Sequence, residues 1–324
     1  MSAFTGTRVV VTGSAGFIGG HLVEALAARG AAVSGIDRRP APPGMPGTHS
    51  CLDLAEPSDA SAVAGLIRDA DFVFHLAGRP GVRGSGPEVE AARWRDNVEA
   101  AAVVLDATPP AVPLVVTSSS SVYGGAALCH GWARPSREDD RLAPRGGYAR
   151  SKVALEQRCA ERAARGGLVA VARPFTVAGE GQRPDMAISR WLAAAAAGDP
   201  ATILGSTDRG RDVTDVRDVV AGLVWLAERG ETQTVNLGTG RIRSLASVLA
   251  TVADVVGHPL ELQTAPAGEE EPPATRADTR RCRRVLGFTP VTRLDELVAR
   301  QWNATNLHSP APSAKVLALT GAEC

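Results

Sequence analysis

The 324-residue chain is poor in several residue types. Aromatic side chains make up 4% of it, with two tyrosines and three methionines, and of its 35 basic residues only Lys152 and Lys315 are lysines. Charge cancels, 35 basic residues against 35 acidic, so there is no field of one sign to draw in nucleic acid or an anionic membrane. No run approaches the ~18 uncharged apolar residues of a membrane span; the alanine stretch at 193–197 is far too short. The five cysteines (Cys51, Cys129, Cys159, Cys282 and Cys324) are odd in number and never spaced Cys-x-x-Cys, and the six histidines are scattered. That pattern argues against a disulfide framework and against a metal site. No charged-then-apolar leader precedes Arg8-Val9-Val10-Val11, so the expected location is cytoplasmic.

What is present is an alternation. Short β-branched runs at 9–11, 32–36, 71–75, 114–117 and 168–171 read as strands, separated by helical stretches at 16–29, 58–68, 89–107 and 148–165. Strands alternating with helices of this length predict an α/β fold, a doubly wound parallel sheet covered on both faces. At ~150 residues per domain the length suits two units. The expected division is a nucleotide-binding domain over 1–174 with a return near 213–238, a smaller lobe over 175–302, and a loose tail over 303–324.

Thr12-Gly13-Ser14-Ala15-Gly16-Phe17-Ile18-Gly19 follows the first strand and opens the first helix. Gly13 permits a tight turn, Gly16 lets the backbone approach a pyrophosphate, and Gly19 lets helix and strand pack closely. Asp37 stands at the end of the second strand, where a carboxylate accepts hydrogen bonds from ribose hydroxyls and repels a 2′-phosphate. This favours NAD over NADP, although Arg38 and Arg39 follow at once and a guanidinium there can hold such a phosphate.

Tyr148 and Lys152 lie four apart on an expected helix and so project from one face. With this composition a chance Tyr-x-x-x-Lys arises in about 1% of shuffled chains. An ammonium beside a phenol favours phenolate, so Lys152 is expected to lower the Tyr148 pKa from its usual ~10. A lysine in a chain that otherwise uses arginine implies work a guanidinium does poorly.

Together the glycine turn, Asp37 and the Tyr148/Lys152 pair resemble the extended short-chain dehydrogenase/reductases, the NAD-dependent epimerase/dehydratase group, over about residues 8–300. Further landmarks of the resemblance are Asp53-Leu54, His75-Leu76-Ala77-Gly78 and Asn97-Val98; Gly78 departs from the usual alanine. The resemblance implies a Rossmann domain holding NAD, contacted by Gly13, Gly16, Phe17, Ile18, Gly19, Asp37, Arg38, Asp53, Leu54, Leu76, Ala77, Gly78, Asn97, Thr117, Tyr148, Lys152 and Pro174. It further implies a lobe closing over a nucleotide sugar, and a homodimer formed through the helices near 89–107 and 148–165. Tyr148 would exchange a proton with the sugar 4-hydroxyl, and Ser119, three residues before Val122-Tyr123-Gly124, would share that hydrogen bond. Tyr123 is the rival phenol, with no lysine at the same offset.

The residues after Ser119 divide the family. Dehydratases resemble Asp-Glu there, an acid and a base for eliminating water, and decarboxylases carry a glutamate; this chain has Ser120 and Ser121. A serine is no general base near neutral pH without an activating partner, so oxidation and reduction at C4, a 4-epimerisation, is expected. The run from Arg173 to Met186 is similar to that of UDP-glucuronate 4-epimerases, departing at Ala178 and Glu180. The likeness implies a substrate site of Arg83, Ser119, Ser120, Ser121, Thr176, Arg183, Met186, Arg211 and Arg276, with Arg211 on the diphosphate and Arg276 a candidate second arginine. UDP-hexose epimerisation, dehydration, decarboxylation and a non-catalytic NAD-binding regulator are the alternatives to UDP-glucuronate 4-epimerisation.

Overall fold

The structure, a computed structural model, describes residues 2–81, 84, 86–129 and 132–306. Seven strands form one parallel sheet in the order Gln233–Leu237, Val169–Pro174, Leu114–Thr117, Phe72–His75, Arg8–Thr12, Ala32–Asp37, Thr48–Cys51. Successive side chains of a strand face opposite sides, and Arg8–Thr12 divides its valines accordingly. Val9 and Val11 enter one buried cluster with Leu22, Leu26 and Leu223, whereas Val10 enters the other with Ile36, Ile67, Val104 and Leu155. Helix Phe17–Ala27 buries Gly19, Leu22, Val23 and Leu26, one face at helical spacing, and so covers the first side of the sheet. Helix Gly146–Ala164 covers the second, burying Leu155 and Cys159.

The helix expected at 89–107 is Pro87–Trp94, a π turn Arg95–Glu99 and Ala100–Ala107 in unbroken succession. A single extra residue in a helix of this kind rotates the turns beyond it, and such π turns collect at functional sites. Strand Thr48–Cys51, which the sequence reading omits, sits at the sheet edge with Thr48 and Cys51 exposed.

A third cluster, with Ile188, Trp191, Ile203, Leu249, Leu297 and Val298, is built from helices Ala187–Ala197, Leu245–Val256 and Leu294–Asn306 and strand Ala201–Leu204, which pairs in parallel with the more exposed Leu262–Ala265. Helix Val216–Arg229 and strand Gln233–Leu237 return to the sheet. Cys282 and Leu286 of helix Arg280–Leu286 also pack there, although they lie in the stretch expected to form the lobe. The tail expectation is corrected in part: Leu294–Asn306 is helical through 306 because Leu297, Val298 and Gln301 are buried. Positions 307–324 lie outside the described residues. Among the described residues no helix is long and apolar enough to cross a membrane.

Candidate active site

Strand order reverses at Arg8–Thr12, which pairs with Ala32–Asp37 on one side and Phe72–His75 on the other. Open α/β sheets bind ligands at the carboxyl ends of the strands beside such a switch point. A cavity of about 680 Å³ lies there, within the range of small-molecule and cofactor sites.

One end is the glycine turn. Gly13 has φ +72°, and a Cβ on it would stand 2.6 Å from the Ala77 nitrogen; one on Gly19 would stand 2.0 Å from the Gly13 carbonyl oxygen. Any side chain therefore pushes strand and helix apart and closes the cradle. Gly13, Gly16, Phe17, Ile18 and Gly19 line the cavity, as do Asp37, Arg38, Asp53, Leu54, Leu76, Ala77, Gly78, Thr117, Lys152 and Pro174. The Asp37 carboxylate accepts from the Ala15 nitrogen at 3.2 Å and the Arg39 nitrogen at 3.0 Å. Arg39 Nε pairs with the same carboxylate, and Arg38 Nη1 meets Asp96 at 3.2 Å, so both arginines already hold acidic partners.

Asn97 does not line the cavity. Carried by the π turn, it is fully buried, accepts from the Arg79 nitrogen at 2.6 Å and donates to Ser151 Oγ at 2.9 Å. It thus fastens the loop after Phe72–His75 to the turn of helix that carries Lys152. A side chain at Gly78 has no room here, since even its first carbon would stand 2.6 Å from Asn97 Oδ1.

Tyr148 and Lys152 project from Gly146–Ala164 into the cavity, and Ser119 reaches it from the end of Leu114–Thr117. Ser119 caps the short helical turn Ser120–Tyr123, its Oγ accepting from the Ser121 nitrogen at 3.1 Å. That leaves its O–H free to face the Tyr148 phenol, whose pKa the Ser119 hydroxyl lowers. The expected effect of Lys152 on that phenol is corrected. Burial pushes the Tyr148 phenol up, against the Ser119 hydroxyl and the positive charges of Arg183 and Arg93. The Lys152 ammonium instead donates to the Thr117 carbonyl oxygen at 2.9 Å, and burial pulls it down to about 8. His75 is buried against Thr12 Oγ1 at 2.8 Å, and desolvation, then the Lys152 charge, depress it to about 3. Tyr123 lies apart from this group: it donates to Asn236 Oδ1 at 2.7 Å, accepts from Arg173, and burial raises it to about 12.

Beyond Tyr148 the wall is formed by Ser120, Ser121, Thr176, Arg183, Met186 and Arg211. Ser121 Oγ is buried with no hydrogen-bond partner among the described residues. Arg183 pairs with Asp185. Two expectations fare differently. Arg83 lies outside the described residues, and Arg276 does not line the cavity, because Gly240 and Ala133 hold its guanidinium by their carbonyl oxygens at 3.0 and 3.4 Å. Glu180, one of the departures, turns away to Arg217 and Arg300.

Lining residues that escaped the sequence reading include Arg79, Asp96, Ser118, Arg145, Arg190, Glu270 and Glu271. Glu271 pairs with Arg211 at 2.9 Å, with both side chains largely buried. Glu270 lies against Gly146 and Pro272 against Gly125, so the acidic segment 268–273 straps the start of the Tyr148 helix. Its run of three glutamates before two prolines was legible as a loop, but nothing in it says which wall it covers.

A glycine turn under a helix N-terminus, an acid at the end of the second strand and a Tyr/Lys/Ser group on the cavity wall at a sheet switch point define a Rossmann-type dinucleotide enzyme. The chain belongs to the NAD dependent epimerase/dehydratase family, which matches residues 9–238. It is 30% identical to YtcB of Bacillus subtilis (strain 168), described as an uncharacterised UDP-glucose epimerase, over 89% of this chain and 95% of that one. Among solved structures it is similar to MoeE5 in complex with UDP-glucose and NAD (37% identity, TM-score 0.84, 93% of this chain and 99% of that one). It is also similar to the UDP-glucuronic acid 4-epimerase of Bacillus cereus with UDP-glucuronic acid and NAD (25% identity, TM-score 0.84, 93% and 100%). The chain is therefore an NAD-dependent enzyme of nucleotide sugars, and the glycine cradle that no Cβ can enter fits that cofactor.

Proposed function

We propose that this enzyme is a UDP-sugar 4-epimerase and that it converts UDP-glucuronate to UDP-galacturonate. One observation carries the reading: Ser119 and Tyr148 open onto the same cavity as Ser120, Ser121, Thr176 and Arg183, so the reacting hydroxyl and a set of anion donors share one wall. Bound NAD supplies the hydride acceptor and, on the return, the donor. Tyr148 takes the proton of the sugar 4-hydroxyl as C4 is oxidised and gives it back after the ketone has turned over. Ser119 aims its O–H at the shared oxygen. The charges of Arg183 and Arg93 favour the phenolate that burial opposes. Arg211 would meet the diphosphate, with Arg145 and Arg190 on the same cavity wall.

A ketone at C4 of a uronate is β to the C6 carboxylate, and such acids lose carbon dioxide when the C5–C6 bond stands perpendicular to the carbonyl plane. Hydroxyls from fixed directions and a guanidinium hold the carboxylate out of that alignment, and charge-assisted bonds are the strong ones. Similar to this chain is MoeE5 with UDP-glucuronic acid and NAD, at 36% identity. A second reading, elimination of water, draws on Glu270 and Glu271, carboxylates in the cavity wall that the positions after Ser119 do not provide. Chromatography of products from UDP-glucuronate and UDP-glucose decides between them. UDP-galacturonate as the main product supports the proposal, and a dehydrated or decarboxylated sugar replaces it. UDP-glucuronate should be turned over much faster than UDP-glucose, which leaves the donors unpaired at a cost of ~1–3 kcal/mol. Arg183→Ala should raise the ratio of decarboxylated to epimerised product; an unchanged ratio removes the uronate part and leaves 4-epimerisation. The same reading includes a homodimer through the helices near 89–107 and 148–165, the first exposing Trp94 at 47%, which sedimentation tests.

A further inference from the structure

Beneath the Ser119–Tyr148 pair, with Ser118 at the cavity wall, lies a buried set of polar groups that the proposed reaction does not use. Glu156 stands one turn after Lys152 on Gly146–Ala164. Its carboxylate receives Arg173 Nε at 2.9 Å and Nη2 at 2.6 Å, a two-pronged ion pair with side chains 6% and 10% exposed. Ser118, itself buried, donates its Oγ–H to the same carboxylate. Arg173 Nη1 continues to the Tyr123 oxygen at 2.8 Å, with its guanidinium carbon 5.0 Å from that ring. Ser118 immediately precedes Ser119 and is tied to the next strand by its backbone nitrogen on the Ala172 carbonyl oxygen at 2.8 Å.

One carboxylate thus joins three elements: the strand end that presents Ser119, the helix that presents Tyr148 and Lys152, and the neighbouring strand Val169–Pro174. A buried carboxylate is costly unless every lone pair is used. Here a guanidinium and a serine use them from fixed directions, and charge-assisted bonds of this kind resist distortion. We infer that Ser118 and Glu156 are positioning residues: the Ser118–Glu156–Arg173 link sets the distance between the Ser119 hydroxyl and the Tyr148 phenol, and with it the rate of proton transfer rather than the binding of either ligand. The inference rests on the proton-transfer roles proposed for Ser119 and Tyr148.

Glu156→Gln leaves the Arg173 charge buried without its counter-charge and need not fold. The deciding variant is Ser118→Ala, which removes one hydroxyl and leaves the ion pair. With UDP-glucuronate and UDP-glucose as probes, its kcat should fall at least tenfold while KM and NAD content stay at wild-type values. A second readout needs no turnover. The chain has two tyrosines, so carbon-13 labelling of the tyrosine ring gives two resonances, and Tyr148→Phe identifies that of Tyr148. Moving the Ser119 hydroxyl away from the phenol, whose pKa it lowers, should move the Tyr148 titration to higher pH in Ser118→Ala. Wild-type kcat with an unmoved Tyr148 titration overturns the inference. So does a loss of activity that tracks lost NAD or a raised KM. If the wild type turns over neither sugar, the functional reading fails on its own, and the tyrosine titration still decides whether Ser118 places Ser119.

Discussion

Tyr148 carries the greatest chemical load of any single residue, and its substitution is the most direct test. Tyr148→Phe keeps the ring at the cavity wall and removes only the oxygen, so kcat should fall at least ~100-fold with NAD retained; single-turnover assays and the absorbance of released cofactor read both. Lys152 is largely buried at the cavity wall, with its ammonium on one carbonyl oxygen. A guanidinium is wider and planar, so Lys152→Arg should lose most activity even though charge is preserved. Removing the Asp37 carboxylate should weaken NAD and admit NADP, because it also frees Arg39 from its ion pair; fluorescence titration with the two cofactors gives the ratio. His75 predicts a pH effect. Its folded value, about 3, lies below the ordinary 6.5, because an imidazolium here would be desolvated and would present an Nε2–H with no acceptor among the described residues. The unfolded chain therefore binds the proton first as pH falls, and stability drops between about pH 6.5 and 3 by up to ~1.4 kcal/mol per pH unit. Above pH 6.5 both states are neutral and the slope vanishes. Urea unfolding at pH 7, 6 and 5 should show that excess slope in the wild type and not in His75→Asn.

At the scale of elements, the acidic strap yields a further test. Glu271 holds the guanidinium that the diphosphate would occupy, so substrate and strap compete for Arg211. Glu271→Gln weakens the strap's charge and should tighten UDP binding several-fold by calorimetry; weaker binding would mean that the strap orients Arg211 instead. The elements also show what sequence reveals. Arg8–Thr12 and Phe17–Ala27 were legible to within two residues at each end because both the run of three valines and the Gly19/Leu22/Val23/Leu26 face are local patterns. Strand Thr48–Cys51 was not, for Thr-His-Ser-Cys lacks any apolar alternation and pairs only because Ala32–Asp37 offers a free edge. Within the cavity, the glycine turn, Asp37, Tyr148 and Lys152 were readable from spacing, and Ser119 from the family resemblance. Arg145, Arg190, Glu270 and Glu271 were not, because surface arginines and glutamates are common in this chain and only tertiary folding selects which ones face inward. Lys152 illustrates the same limit: spacing put it on the Tyr148 face, but burial and the Thr117 carbonyl decide where its charge acts.

Across the whole molecule, Glu180 links parts remote in sequence. It pairs with Arg217 at 2.6 Å on the helix that packs against the sheet and with Arg300 at 3.0 Å on the last helix, which also meets Asp215. Arg217 is 59% exposed and screened by solvent, so its share is small. Glu180→Ala should cost about 1 kcal/mol and lower Tm by ~2–4 °C, with kcat unaffected because Glu180 does not line the cavity; differential scanning calorimetry and a rate assay check both. The cluster on one side of the sheet has a different consequence. It begins at Phe4 and is completed by Leu286, with Leu223 and Val235 between them. While the ribosome is still making the second half of this chain, the first strands have their hydrogen-bonding partners but lack much of the apolar cover on that side. Contacts this distant in sequence form late and leave hydrophobic surface uncovered meanwhile. A nascent chain halted before residue 216 should therefore be a ready client for holding chaperones, and release from them should coincide with emergence of the Val216–Arg229 helix.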